Sequence, residues 1–332
     1  MAQMKYFYEL TISSSPHAHS PVTTQTIMRD VLIALIPAML GSIYFFGFRS
    51  LLVTLVSAAA CVFFEWGFCK VRKLHCKTYD LSAVVTGVLL AFVCPVTIPY
   101  WTIILGDFFA IVLVKMLFGG LGKNIVNPAL AGRAFLFSWP VLMSNWVKVG
   151  FDNAAGLLST ADAVTAATPM SAMHQGALPE ESILDMFLGN IGGCIGETSA
   201  LLLIIGFIYL LYRKVITARI PLAYIGTVAI LTFLFPQGND ALTWMLYNVL
   251  GGGLFLGAFF MATDYVTSPL TKLGQIVYGI GCGVITILIR YFGGYSEGVT
   301  YAILCMNACA VLLDKIGRPV KFGAPKKEAA KK

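Results

Sequence analysis

The residues best placed to do chemistry lie in the run Asp162-Ala163-Val164-Thr165-Ala166-Ala167-Thr168-Pro169, small side chains closed by a threonine and a proline. Proline biases the residue before it away from helical φ/ψ and toward an extended backbone. That conformation would hold the Thr168 hydroxyl clear of a helix and present it for covalent modification. Taken alone, the octamer reads equally well as an ordinary polar loop.

Two acidic residues stand where acids are costly. Glu197 follows Gly189-Asn190-Ile191-Gly192-Gly193-Cys194-Ile195-Gly196, and Asp107 lies inside the fourth apolar run of the chain. An acidic group in a membrane span pairs with a partner or serves a pathway, so both are candidates for moving an ion or a proton. The glycines before Glu197 allow backbone to approach a ligand closely; glycine-rich helix packing would also explain them. A second polar stretch, Gly119-Gly120-Leu121-Gly122-Lys123-Asn124-Ile125-Val126-Asn127-Pro128-Ala129, carries two amides that can both donate and accept hydrogen bonds. Asn124 and Asn127 suit a polar ligand or a helix cap. Neither a P-loop nor a dinucleotide fingerprint is present, because neither spacing is met. Tyr79-Asp80-Leu81-Ser82 and the segment from Thr263-Asp264 to Thr271 end on the same side and could close a pocket there.

The elements that position these residues are membrane helices. Hydrophobic residues make up 58% of the 332 and charged residues only 12%, a composition that excludes a soluble globular domain. Mean hydropathy is +0.81. Spanning a bilayer takes about 20 apolar residues per helix. Ten runs qualify, near 31–47, 51–68, 80–98, 101–118, 129–144, 190–211, 220–236, 244–262, 275–291 and 298–314. The fold class expected is therefore an all-α polytopic membrane protein of about ten helices. Phe118-Gly119-Gly120 and Phe292-Gly293-Gly294 each precede the last run of a set of five. A five-helix unit repeated once must invert, which suggests two inverted halves.

Lys and Arg fix an orientation. With ten spans both termini share a side, and twenty basic residues fall on it against three, Arg49, Lys148 and Arg290, on the other. That asymmetry places both termini in the cytoplasm and residues 145–185 outside it. It also accounts for the net charge of +7, leaving no reason to expect nucleic acid. The expected organisation is a cytoplasmic arm over 1–30, a first membrane half over 31–144, the outer loop over 145–185, a second half over 186–316 and a basic tail over 317–332. No signal peptide is expected ahead of the first run. His17 and His19 lack further ligands, so no metal site is expected, and eight cysteines without a C-x-x-C pair predict no disulfides.

Several segments, in order, resemble the RnfD family, membrane subunits of the Rnf complex, the ion-translocating ferredoxin:NAD oxidoreductase. They are Ser14-Ser15-Pro16-His17, Thr26-Ile27-Met28-Arg29-Asp30-Val31-Leu32-Ile33-Ala34-Leu35-Ile36-Pro37-Ala38, Ser82-Ala83-Val84-Val85-Thr86-Gly87, Asn127-Pro128-Ala129-Leu130-Ala131-Gly132-Arg133-Ala134-Phe135, Ile195-Gly196-Glu197-Thr198-Ser199, Met261-Ala262-Thr263-Asp264 and Thr267-Ser268-Pro269. The resemblance implies FMN esterified through its phosphate to Thr168, with Asp162 and Thr165 as the other polar positions of the attachment motif. Ala166 stands where many members have Gly. It also implies an extracytoplasmic flavin transferase, the other Rnf subunits (A, B, C, E and G) as partners, and electron transfer between ferredoxin and NAD coupled to Na⁺ or H⁺ movement across the cell membrane. The sister NqrB family, from the sodium-pumping NADH:quinone oxidoreductase, is similar to urea-transporter folds. There a non-covalent riboflavin lies near the segment matching Asn124 and Asn127. The short N-terminal arm here favours the Rnf reading over that sister. A solute channel or transporter would fit ten spans and inverted repeats, but leaves the Asp162–Thr168 loop unexplained.

Overall fold

The computed structural model describes residues 22–73, 78–143, 145–146, 168–238 and 240–316. Among these there is no strand. The elements are α1 (Thr24–Phe46), α2 (Phe48–Val71), α3 (Ser82–Phe92), α4 (Tyr100–Phe108), α5 (Pro128–Leu136), α6 (Pro169–His174), α7 (Ile183–Leu188), α8 (Ala200–Tyr212), α9 (Arg219–Leu234), α10 (Ala241–Leu250), α11 (Leu254–Leu256), α12 (Lys272–Phe292) and α13 (Val299–Leu313). Two of them continue into wider turns with i→i−5 bonding. α4 runs on as a π-helix over Phe109–Met116 and α11 over Gly257–Met261.

Three helices, α1, α2 and α12, are long and apolar enough to cross a membrane, and α10 with α11 makes a fourth candidate bent by 58°. The other apolar runs are short or broken helices, so the ten runs do not become ten straight spans. The run expected over 80–98 is helical only to Phe92, the run over 190–211 becomes helical only at Ala200, and the run over 129–144 is helical to Leu136 and again only over the single turn Pro140–Met143. Glycines and prolines in these stretches end the helices where apolarity alone continues. At the other extreme, α1 begins at Thr24, inside the arm expected over 1–30. Its start is set by a capping box, in which Thr23 Oγ1 accepts from Thr26 N–H (3.3 Å) and Thr26 Oγ1 from Thr23 N–H (3.0 Å). Asp30 is consequently inside a helix, where its carboxylate binds Arg213 at the end of α8 at 3.2 Å and ties α1 to α8.

The polarity of the bundle is that of a protein in lipid. Large apolar side chains such as Leu40, Phe63, Leu222, Leu234 and Val311 point outward, while Arg49, Asp107, Lys115, Arg133 and Arg290 are buried. Helical breaks can survive at such depth only where protein satisfies their backbone. Here the two principal breaks satisfy one another. The chain after α3 crosses the chain before α8, with Ile195 N–H donating to Cys94 O (3.0 Å) and Gly196 N–H to Phe92 O (2.9 Å). Gly196 is required at the crossing because a Cβ would run into the Phe92 ring.

Two arginines complete the breaks. Arg49 Nε donates to Val96 O at 2.8 Å and its Nη2 to Ile98 O at 3.4 Å. Arg290 serves the break between α10 and α11, its guanidinium donating to Asn248 O (2.5 Å), Gly251 O (3.1 Å) and Glu297 O (3.0 Å). These are two of the three basic residues that fell against the charge asymmetry. Both are buried backbone partners, so neither is a loop charge, and Lys148 lies outside the described residues.

Candidate functional site

Thr168 sits at the entry of α6 with φ −70° and ψ 150°, the extended conformation expected before Pro169. It is buried at 7% exposure, however, and is not displayed on the surface. The turn it opens is anchored by Met170 and Met173, which pack with Met186, Ile191, Trp244 and Tyr247. Asp162 and Thr165 lie outside the described residues. Thr168 borders a small pocket together with Gly192, Gly193, Gly251, Gly252 and Glu197. The glycine walls are needed. Gly252 and Gly253 have φ of +66° and +64°, and a Cβ on Gly253 would collide with the Glu197 carboxylate. Exposed Asp185 and Asp240, at the starts of α7 and α10, are held below the usual carboxylate range by hydrogen bonds from Ser182 and Thr243.

Glu197 belongs to a buried charge cluster that joins separate parts of the chain. Arg133 on α5 reaches Glu297 Oε2 (2.5 Å), Glu197 Oε1 (3.9 Å) and Cys194 Sγ (3.4 Å) through Nη2, and Thr300 Oγ1 on α13 (3.1 Å) through Nη1. The ligand atoms of Cys194, Glu197 and Glu297 lie within 4.8 Å of one another. The Arg133 guanidinium already supplies a positive charge at that point. Glu197 Oε2 has no hydrogen-bond partner, so one carboxylate oxygen remains open beside the Thr168 cavity.

A second cleft, of about 740 Å³, lies among α1, α3, α8 and the two π-helical segments. Its lining includes Met28, Ser82, Lys115, Asn124, Phe260 and Asp264. The two amides play different parts in it. Asn127 is fully engaged as the N-cap of α5, accepting from Ala129 and Leu130 N–H and donating to Met261 O at 3.2 Å. Asn124 donates to Val126 O at 3.3 Å, while its buried Oδ1 has no partner. Of the two residues expected to meet a ligand, Asn124 has the open atom and Asn127 holds the fold. π-Helical turns often mark functional sites, and both of those among the described residues flank this cleft.

Asp107 is remote from Thr168 in sequence and is completely buried on α4. Its Oδ1 lies 2.7 Å from Ser57 Oγ and 3.2 Å from Cys61 Sγ, both on α2. Further along the same helical face, Lys115 Nζ pairs with Glu65 Oε1 at 2.9 Å and donates to Ser82 Oγ at 2.8 Å.

Comparison with known proteins bears on what these sites serve. A family model described as the NQR2, RnfD, RnfE family matches residues 11–323. The chain belongs to that family. It is 45% identical over 323 residues to the D subunit of a Na⁺-translocating ferredoxin:NAD⁺ oxidoreductase complex from Acetobacterium woodii, covering 96% of each chain. It is 44% identical over 328 residues to the D subunit of a proton-translocating ferredoxin:NAD⁺ oxidoreductase complex from Clostridium ljungdahlii, covering 94% of this chain and 96% of that one. Identity to the D subunit of an ion-translocating oxidoreductase complex from Aliivibrio salmonicida is 35%, covering 95% and 99%. Family members with nearly equal identity to this chain thus carry different ions in their names.

Sequence reasoning missed Glu297, Cys194 and the Lys115–Glu65 pair as parts of this machinery. Glu297 follows the Phe292-Gly293-Gly294 token, and only its distance from Arg133 gives it meaning. Lys115 and Arg133 lie inside the runs over 101–118 and 129–144 and enter the charge count only as basic residues on the side of the termini.

Proposed function

We propose that this chain is the RnfD-type membrane subunit of a ferredoxin:NAD⁺ oxidoreductase complex, carrying FMN on Thr168 through a phosphoester and helping couple electron transfer to translocation of Na⁺ or H⁺. The observation that carries this reading is 45% identity over nearly the full length to a relative of that description, joined to an extended Thr168 bordering a glycine-walled cavity. The residues around Thr168 fit the attachment point: Gly192, Gly193, Gly251 and Gly252 wall it with backbone, and a Cβ at Gly251 or Gly252 would press on Met170 or Arg290. FMN bound there would supply reversible electron transfer, chemistry that no side chain of this chain offers. The protein's part is to bury the attachment point and exclude water with the Met170, Met186 and Trp244 packing. Because Thr168 is buried, attachment by an extracytoplasmic transferase precedes the docking of α6.

The cleft beside Asn124 is the proposed seat of a non-covalent flavin. Its walls are apolar, and an unsatisfied amide oxygen and Lys115 supply polar contacts. We further propose two inverted five-helix halves with cytoplasmic termini. Supporting this, the helices after the two Phe-Gly-Gly tokens, α5 and α13, are joined by Arg133 and Thr300. The family model spans NQR2 as well as RnfD, and it is the relatives at 44–45% identity, both D subunits of ferredoxin:NAD⁺ oxidoreductase complexes, that favour the Rnf-type reading over an NqrB-type component of a quinone reductase.

The test is in-gel flavin fluorescence of the denatured chain. Wild type should fluoresce, Thr168→Ala should not, and the variant should still insert. Fluorescence retained in Thr168→Ala would move the attachment elsewhere, and a non-fluorescent wild type would end the covalent-flavin reading. Ferredoxin-driven NAD⁺ reduction by the purified complex separates this function from that of a quinone reductase or a solute channel.

A further inference from the structure

The inward face of α2 is polar along most of its length. Ser50, Thr54, Ser57, Cys61 and Glu65 are all buried, at helical spacings of three and four, while Leu55, Phe63 and Trp66 face outward. Ser50 and Thr54 donate to carbonyls of the preceding turn, each at 2.8 Å. Ser57 does not. Its Oγ lies 2.8 Å from Gly87 O on α3 and 2.7 Å from Asp107 Oδ1 on α4.

A hydroxyl has one hydrogen, and Ser57 faces two acceptors. Were Asp107 ionised, one of those close oxygen pairs would have no hydrogen between them. Its Oδ2, buried and without a hydrogen-bond partner, would then belong to a carboxylate held only by Ser57 or by the weak Cys61 S–H donor on Oδ1, and no cationic side chain contacts Asp107 among the described residues. An uncompensated charge of that kind is among the costliest things to bury. A proton on Asp107 Oδ1 balances the line. Asp107 then donates to Ser57 Oγ, Ser57 donates to Gly87 O, and Oδ2 becomes a neutral carbonyl.

We propose that Asp107 is a proton-binding site inside the membrane, loaded from a cleft bordered by Glu65. That cleft is open to solvent and is lined by Glu65, Tyr79, Asp80, Gly119 and Gly120. Cys61, 3.2 Å from Asp107 Oδ1, stands one helical turn from Glu65 and so links Asp107 to that cleft. The charged groups within electrostatic reach of Cys61 are Glu65, its partner Lys115 and Asp107 itself. Only the use of this proton in ion translocation rests on the function proposed above; its presence on Asp107 does not.

Dicyclohexylcarbodiimide forms stable adducts with carboxyls that carry a proton in apolar surroundings, and peptide mass spectrometry locates them. In the intact complex in lipid vesicles, the wild type should carry an adduct on Asp107 at neutral pH and lose it at alkaline pH. Asp107→Asn, neutral for neutral with an amide able to donate to Ser57, should assemble as wild type and show no adduct at 107. In vesicles held alkaline, acid supplied only to the compartment facing the Glu65 cleft should restore labelling. Absence of an adduct on Asp107 at every pH, while other carboxyls in the sample react, would overturn the site. Collapse of the Asp107→Asn complex would do the same. Protection by added Na⁺ at fixed pH would overturn the proton in favour of sodium, and labelling restored only from the opposite compartment would overturn the route. In-gel flavin fluorescence of the same samples reads the proposed function separately: labelling without flavin would count against that function and leave this site standing.

Discussion

Arg133→Met should be among the most damaging single substitutions in this chain, and neutralising the partners should largely undo the damage. Arg133 is the cation paired with the carboxylates of both Glu197 and Glu297, Arg290 reaching only the Glu297 backbone carbonyl, and it also donates to Thr300 Oγ1. Methionine keeps much of the volume but leaves two carboxylates facing each other in a buried site. Breaking a buried pair costs about 3–5 kcal/mol, and the lost Thr300 bond adds about 1 kcal/mol. Glu297 keeps 13% side-chain exposure, so the lower part of that range applies to its share. A total near 4–6 kcal/mol corresponds to roughly three to four powers of ten in the folding equilibrium. The triple variant Arg133→Met/Glu197→Gln/Glu297→Gln removes all the charge at once. Buried ionic clusters replaced as a unit by neutral groups are often tolerated, so the triple variant should recover most of the loss. The assay is the fraction of the detergent-solubilised complex that stays monodisperse after heating, followed by size-exclusion chromatography. If Arg133→Met proves as stable as wild type, or the triple variant is worse than the single, the cluster is not balanced as described.

The remaining predictions test other parts of the structure. Arg290→Leu should destabilise more than Arg49→Leu, because it takes a donor from four backbone carbonyls (Asn248, Gly251, Gly252 and Glu297) against two, at about 1–3 kcal/mol each; thermal denaturation of the two variants ranks them. Asn124→Leu should lower non-covalent flavin in the purified complex while the fluorescence of the Thr168-linked flavin persists, and unchanged flavin content would exclude Asn124 as a ligand. A reporter active only in the cytoplasm should work when fused after Lys332 and fail when inserted near Gly176; activity at Gly176 would reverse the proposed orientation. Glu197→Gln should preserve covalent flavin and lower the number of ions moved per electron, measured as ²²Na⁺ or proton uptake during ferredoxin-driven NAD⁺ reduction, and a wild-type ratio would take Glu197 out of the pathway.

The sequence made the membrane class and the family legible because both are written in local chemistry. Long apolar runs need no tertiary information, and the ordered segments from Ser14 to Pro269 carry the family resemblance one stretch at a time. Helix ends were less legible. Hydropathy does not distinguish a helical run from an extended one, so the break after Phe92 lies unseen inside a continuous apolar run, whereas the one before Ala200 is marked in the sequence by the glycines of Gly189–Gly196. At these points the backbone hydrogen bonds run between residues about a hundred positions apart, from Ile195 to Cys94 and from Gly196 to Phe92. No window of sequence contains both partners.

The same reasoning explains which charges were misread. A basic residue in a positive-inside count is treated as a loop charge held by the membrane potential and the translocation machinery. Arg49 and Arg290 are instead backbone ligands, forking toward carbonyls that broken helices leave without N–H partners. Arginine suits that work because its planar fork offers five donors and remains charged under all ordinary conditions. In a chain with broken spans, then, a minority-side arginine next to a Gly-Gly or Cys-Pro interruption is evidence for the break as much as evidence against the orientation. Discounting those two leaves Lys148 alone against the asymmetry, which strengthens the cytoplasmic placement of both termini proposed here. It also links two readings that were independent in the sequence: the helical interruptions that build the cavity beside Thr168, and the charge distribution that decides which side of the membrane that cavity faces.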